Sequence, residues 1–254
     1  MNRLICITGF AAVVLLTFLS ANAPAAPSEY LEGMIEPYLE VKISSQVPGI
    51  IDQVLVERGD IVRKGQVVAK LRASVERANV ELAEAQVGFA KRKLDRNKDL
   101  FAKEKEYISA NEKDEIETEL KKGEATLDEA KAKLEMRSIR STVDGVVVKR
   151  ELAAGEYVGD KPILTIAQIH PLNVEVVVPV RRYGSITRGM LAEVRPEAPV
   201  GGSYTGRVVI VDRVVDAASG TFGIRVELPN EKLLLPAGLK CRVRFYKGQQ
   251  PVTR

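Results

Sequence analysis

The chain has 254 residues, 45% of them hydrophobic and 28% charged, the composition of a protein with packed cores. Aromatic residues make up only 5% and tryptophan is absent, so those cores must be thin and aliphatic. The net charge of +4 comes from 38 basic and 34 acidic residues spread along the chain, which excludes the clustered basic face of a nucleic-acid binder.

Residues 1–25 have the layout of a secretory signal peptide: a short basic start at Arg3, an apolar run from Leu4 to Leu19, then Ala21-Asn22-Ala23 and Ala25 as small residues before a cleavage site. The run is also long enough, marginally, to be read as an uncleaved N-terminal anchor. Cys6 lies too early to be a lipoprotein cysteine. Removal of the segment leaves Cys241 alone and an internal disulfide impossible. Export without a disulfide points to the bacterial periplasm.

Residues 26–40 read as a lead-in, a short strand at most. From Val41 the period becomes β-like, with Pro48-Gly49, Gly59-Asp60 and Lys64-Gly65 as turns and Val67–Leu71 closing a small unit. A shift of 96 positions lays this unit on a second copy. Ser45 falls on Ser141, Val47 on Val143, Gly49 on Gly145, Gly59 on Gly155, Asp60 on Glu156, and Val67 and Val68 on Ile163 and Leu164. Glycines recur where turns need positive φ, and apolar residues recur where strands face a core. The chain thus contains two halves of one β domain, 41–71 and 138–167.

Between them, residues 72–137 are charged, alanine-rich and free of proline. Val80, Val87, Leu94 and Phe101 recur at sevens, with Ala83, Ala90 and Asn97 as companions. Leu120, Leu127 and Leu134 do the same in the second half, with Ile116, Gly123, Ala130 and Arg137. Large and small residues alternating over three heptads predict an antiparallel coiled-coil hairpin. Two arms of roughly 28 to 32 residues give a rod about 40–45 Å long, with its tip near Lys103–Ser109. Acidic and basic residues are nearly balanced on the remaining faces, which read as solvated.

After Ala167, His170-Pro171 reads as a break, and a small β-barrel is predicted over 168–247. Its strands are Leu172–Val180, Leu191–Val194, Tyr204–Val215, Thr221–Leu228 and Lys240–Tyr246, with one helical turn within 181–189 and a short tail at 248–254. The fold class is therefore mainly β with an antiparallel helical hairpin. No chemistry stands out. His170 sits beside a proline at a junction, Cys241 alternates with Lys240 and Arg242 as an inward small hydrophobe, and no His/Cys cluster has metal-ligand spacing. The methionines are scattered and the glycines lie in β turns, so neither an enzyme nor a bound cofactor or metal is expected.

The half-motif that starts Ser45-Gln46-Val47-Pro48-Gly49-Ile50-Ile51 and continues Val56…Gly59-Asp60…Val62…Gly65 resembles the biotinyl/lipoyl-type β-sandwich. Split by a helical hairpin, it resembles the periplasmic adaptor subunits of bacterial efflux systems, the membrane fusion (HlyD-like) family. Asp216-Ala217-Ala218-Ser219-Gly220-Thr221, with Leu228-Pro229-Asn230, resembles that family's barrel signature, with Ser219-Gly220 in place of the usual Thr-Arg. The resemblance implies a lipoyl-like sandwich and a barrel, and no modified lysine, since Val75 stands near the carrier position. It implies an inner-membrane RND pump and a TolC-type outer-membrane channel as partners, and a homo-oligomeric ring. The membrane-proximal domain of larger family members is expected to be absent or vestigial here. In adaptors that dock on TolC-type channels the hairpin tip carries Arg-x-x-x-Leu and then a serine seven residues on. Arg96, Leu100 and Ser109 occupy that pattern here, with the serine nine residues after the leucine. Two alternatives stand beside this reading: an adaptor of an ABC-type exporter, and an unmodified lipoyl-like carrier or scaffold.

Overall fold

A computed structural model describes residues 30–103 and 110–246 of the chain, the backbone alone for 99–103 and 110. The expected signal peptide, the short tail and Ser109 lie outside the described residues. In chain order the elements are β1 (Leu31–Ile43), β2 (Gly49–Val54), β3 (Ile61–Val62), β4 (Val67–Leu71), α1 (Ser74–Lys103), α2 (Ala110–Glu135), β5 (Ser138–Arg140), β6 (Gly145–Arg150), β7 (Tyr157–Val158), β8 (Leu164–Pro179), β9 (Leu191–Pro196), β10 (Tyr204–Val211), β11 (Thr221–Leu228) and β12 (Lys240–Phe245).

The sequence repeat is a structural one. Gly49 and Ile50 of β2 pair with Val158 and Tyr157 of β7, and their counterparts Gly145 and Val146 of β6 pair with Val62 and Ile61 of β3. Each recurring residue repeats its task. Ser45 Oγ donates to the Val47 carbonyl at 2.6 Å, and Ser141 Oγ donates to the Val143 carbonyl at 2.6 Å. Asp60 and Glu156 each accept a backbone N–H three residues back, from Glu57 and from Ala153, both at 2.8 Å. Gly59 N–H donates to Val147 O and Gly155 N–H to Ile51 O, both at 2.8 Å. The two glycines stand at φ 98° and 89°, a conformation that side chains disfavour. Ile51, Val62, Val68, Val147, Val158 and Ile163 form the shared core of the two halves.

Two expectations change in the structure. Instead of a short lead-in over 26–40 there is a strand of 13 residues, β1. Instead of a break at His170-Pro171 there is a strand of 16 residues, β8, that runs through it. The two strands are antiparallel partners in both domains. Ile43↔Leu164 to Leu39↔Gln168 belong to the sandwich, and Pro37↔Leu172 to Gly33↔Val176 to the barrel. The ladder is irregular between Pro37 and Leu39, opposite Ile169-His170-Pro171. Both prolines therefore fall where the register slips and no ladder donor is needed.

Side chains close that junction. Asn230, 5% exposed, donates to the carbonyls of Ile169 and Leu235, each at 2.9 Å, and accepts from Leu235 N–H at 3.1 Å. His170 Nδ1 accepts from Asn230 N–H at 3.1 Å, a structural role. Beyond it β1, β12, β9, β10, β11 and β8 follow in order and close back on β1, which makes the barrel. Its core is aliphatic: Ile35, Leu172, Val174, Val194, Ile224 and Val226 are fully buried.

Candidate functional site

The hairpin forms because 72–137 offers strong helix formers without proline and one apolar seam per helix. Val80, Ala83, Ala90 and Leu94 of α1 and Ile116 of α2 are buried, and Val87, Leu120, Leu127 and Leu134 are half-buried along the same seam. Gly123 faces Val87, and a Cβ there would stand 3.4 Å from Val87 Cγ2. The small residue lets the helices approach closely. Exposed ion pairs cross the seam at Lys93–Glu119, 2.7 Å, and Lys131–Glu84, 3.6 Å. The hydrogen bond to Glu119 raises the Lys93 ammonium above its ordinary value.

The base of the rod is clamped. Arg137, just past the end of α2, donates to Glu76 in the first turn of α1 at 2.6 Å and to the Pro48 carbonyl at 3.0 Å. Its own carbonyl accepts from Leu71 N–H at 2.8 Å. One residue thus joins both helices to the sandwich. The heptad series places Arg137 on the seam; in the structure it is the mount. Arg140 adds contacts to Glu135 and to the Gly65 carbonyl, both at 2.9 Å.

The tip residues fare differently. Arg96 is exposed on α1, toward its far end. Leu100 lies in the same helix with its side chain outside the described residues, as is the whole of Ser109. Of the three, only Arg96 has a described side chain, and their mutual arrangement lies outside the described residues. Val75, near a carrier domain's lysine position, lies in the first turn of α1 and is 66% exposed.

A second constellation lies on the barrel. Glu193 of β9 is 6% exposed and pairs with Arg195 at 2.6 Å and Arg244 at 2.5 Å. Ser203 and Tyr246 each donate a hydroxyl to it at 2.7 Å. Burial alone would push its carboxyl up; the hydrogen bonds from Tyr246, Ser203 and Arg195 and the charge of Arg244 outweigh it and hold it at about 2. Arg195, Arg242 and Arg244 surround the Tyr30 ring at 5.2–5.9 Å, a cation–π cluster. Residues 30, 193, 203 and 246 meet only through strand pairing, and sequence spacing gives no sign of them. Every partner around Glu193 is a donor or cation already engaged with it, so the cluster is an anchor for the two ends of the barrel. Among the described residues no group of three or more His, Cys, Asp or Glu side chains could hold a metal ion. Cys241 is buried in the barrel core, as its strand alternation predicts.

A sandwich opened by a mounted hairpin and joined to a barrel by two shared strands defines the membrane-fusion class of protein. Residues 39–168 match the family described as CzcB-like, barrel-sandwich hybrid domain, and residues 172–249 match CusB-like, beta-barrel domain. The first match alone covers about half of the chain, and the chain belongs to the CzcB-like membrane fusion proteins. It is 27% identical over 262 residues to the Membrane fusion protein MtrC of Neisseria gonorrhoeae, across 88% of this chain and 63% of that protein. It is 26% identical over 227 residues to the Multidrug resistance protein MdtE of Escherichia coli K12, across 79% and 59%. The chain thus spans about three-fifths of the length of the curated relatives it matches. Among solved structures, a MacA-MexA chimeric protein with the Pseudomonas aeruginosa MexA alpha-hairpin domain superposes with a TM-score of 0.71 at 19% identity, covering 85% of this chain and 80% of that one. That likeness carries the fold.

Proposed function

We propose that the protein is a periplasmic adaptor that links an inner-membrane RND efflux pump to a TolC-type outer-membrane channel, without an enzymatic step. The observation that carries this reading is the mounted hairpin: α1 and α2 leave the sandwich together at the Arg137–Glu76 clamp and present their tip about 45 Å away. A spacer has no reason to return to its origin, whereas a hairpin presents an end. The names of the relatives, Membrane fusion protein MtrC, Multidrug resistance protein MdtE and Multidrug export protein AcrE, support an export role. The N-terminal segment directs the chain to the periplasm, where copies assemble as a ring on the pump and their hairpins form a conduit. Arg96, Leu100 and Ser109 are the residues proposed to meet the channel.

The test is site-specific crosslinking in cells that produce the pump and the channel. A cysteine placed at Leu100 (Leu100→Cys) carrying a bifunctional reagent captures the outer-membrane channel, and one on the barrel captures the pump. Capture of an ABC-type transporter instead of an RND pump redirects the reading, and capture of no membrane partner overturns it.

A further inference from the structure

Each half of the sandwich leaves one strand edge open, and the two edges face one cleft. Among the described residues β5 is an edge strand that pairs only with β4. β1 pairs with β12 only from Leu31 to Met34, so in the sandwich Leu39 to Ile43 pair with β8 alone. These edges are repeat equivalents: the shift of 96 lays Lys42 on Ser138, Ile43 on Ile139 and Ser44 on Arg140. Residues 41–44 and 138–142 line a cleft of about 890 Å³, and neither β4 nor β8 contributes to it. Consecutive residues from each strand, without its ladder partner, mark a cleft bounded by edges rather than faces. The end of α2, at Glu135 and Met136, lines it as well.

The β5 edge is a template for a further strand. Arg137 O, Ser141 N–H and Ser141 O all bond toward β4, so strand alternation turns the N–H and C=O of Ser138 and Arg140 to the cleft. An unpaired row of this kind is a platform for strand addition. Charge selects the strand. Lys42, Lys64 and Arg140 line the cleft against one carboxylate, Glu135, and Arg140 already holds Glu135 at 2.9 Å. Lys42 and Lys64 are exposed and form no ion pair among the described residues. The segments of the chain outside the described residues do not match this charge: 1–29 hold one acidic side chain, Glu29, and 247–254 hold none. Residues 104–109 connect α1 to α2 at the ends away from the sandwich.

We infer that the cleft takes up an extended acidic segment of a partner protein, added to β5 as a strand through Ser138 and Arg140. Its carboxylates lie beside Lys42 and Lys64. At ~3.3 Å per residue the two edges accommodate about four or five residues of it. The cleft lies at the root of the hairpin, so its occupant touches both the hairpin and the sandwich.

Full-length protein and an N-acetylated hexapeptide of alternating glutamate and valine test this, with a lysine–valine hexapeptide as the charge control. The acidic peptide is expected to bind and, at saturation, to slow hydrogen exchange at the Ser138 and Arg140 amides about tenfold or more. Lys42→Glu with Lys64→Glu is expected to weaken that binding about tenfold and to favour the lysine–valine peptide. Replacing the peptide amides by N-methyl amides, which cannot donate to β5, is expected to abolish binding. Failure of the acidic peptide to bind, binding that leaves Ser138 and Arg140 unprotected, or equal binding of the two peptides overturns the proposal. Protection of those amides that grows with protein concentration in the absence of peptide assigns the edge to a second copy and overturns it too.

Discussion

Arg137 Nη2 lies 2.6 Å from Glu76 Oε1, joining the residue after α2 to the first turn of α1 across 61 positions of sequence. Both side chains are largely buried, 22% and 15% exposed, and the same guanidinium reaches the Pro48 carbonyl at 3.0 Å. The contact ties both ends of the hairpin to the sandwich.

Removing either partner leaves a partly buried charge without its counterpart. Glu76→Ala is expected to cost about 1–3 kcal/mol, and Arg137→Ala more, because the Pro48 carbonyl also loses its donor. A double-mutant cycle on unfolding free energies measures the coupling. Costs that simply add would show that the pair is not a clamp.

The repeat-related glycines Gly49 and Gly145 should respond differently to alanine. A Cβ on Gly145 would run into the backbone carbonyl of Ala167, which cannot move without breaking β8, and would lie 2.9 Å from Ile166 Cγ2. A Cβ on Gly49 would crowd the end of the Arg137 side chain, at 2.7 Å, and make an ordinary contact with Leu71 Cδ1 at 3.5 Å. Gly145→Ala is expected to destabilise by about 3 kcal/mol or more, and Gly49→Ala by about 1 kcal/mol through a displaced Arg137. Thermal denaturation of the two variants ranks them, and equal losses would contradict the contacts.

What was legible in the sequence was periodic. The 96-position shift and the heptads of Val80 and Leu120 are one-dimensional signals of a core face, and each fell on a buried or half-buried line. The β1–β8 ribbon stayed hidden. Residues 26–40 read as a lead-in and His170-Pro171 as a break, whereas Pro37 and Pro171 sit at a ladder mismatch and Glu32 and Glu36 on the outer face. The Arg137 clamp and the Glu193 cluster join residues far apart in sequence, and no spacing rule points to them.

Glu193 makes the barrel sensitive to acid. Its folded carboxyl titrates at about 2 rather than the ordinary 4.5, so the native state binds the proton less readily than the unfolded chain. Its stabilisation is complete above the unfolded value and is lost as pH falls from about 4.5 toward 2. Melting temperatures of the wild type are expected to drop across that window. Glu193→Gln, which has no charge to titrate, is expected to start less stable and to flatten the slope. An unchanged slope in that variant would assign the acid sensitivity to other carboxylates.

Asn230 should be the most costly single polar side chain to remove at the junction. Its amide serves two carbonyls and one N–H, binding the loop before β12 to β8 beside His170-Pro171. Asn230→Ala leaves Ile169 O and Leu235 O without that donor inside the protein, at a cost of about 2 kcal/mol or more, while Asn230→Asp replaces donors by a buried charge and is expected to be worse. Hydrogen exchange localises the effect. The amides of Leu235 and Asn230 and the β8 segment from Gln168 to Leu172 lose protection first, ahead of the sandwich core. Uniform loss of protection across both domains would mean that the barrel and sandwich unfold as one unit, and that the shared strands, rather than Asn230, hold the junction.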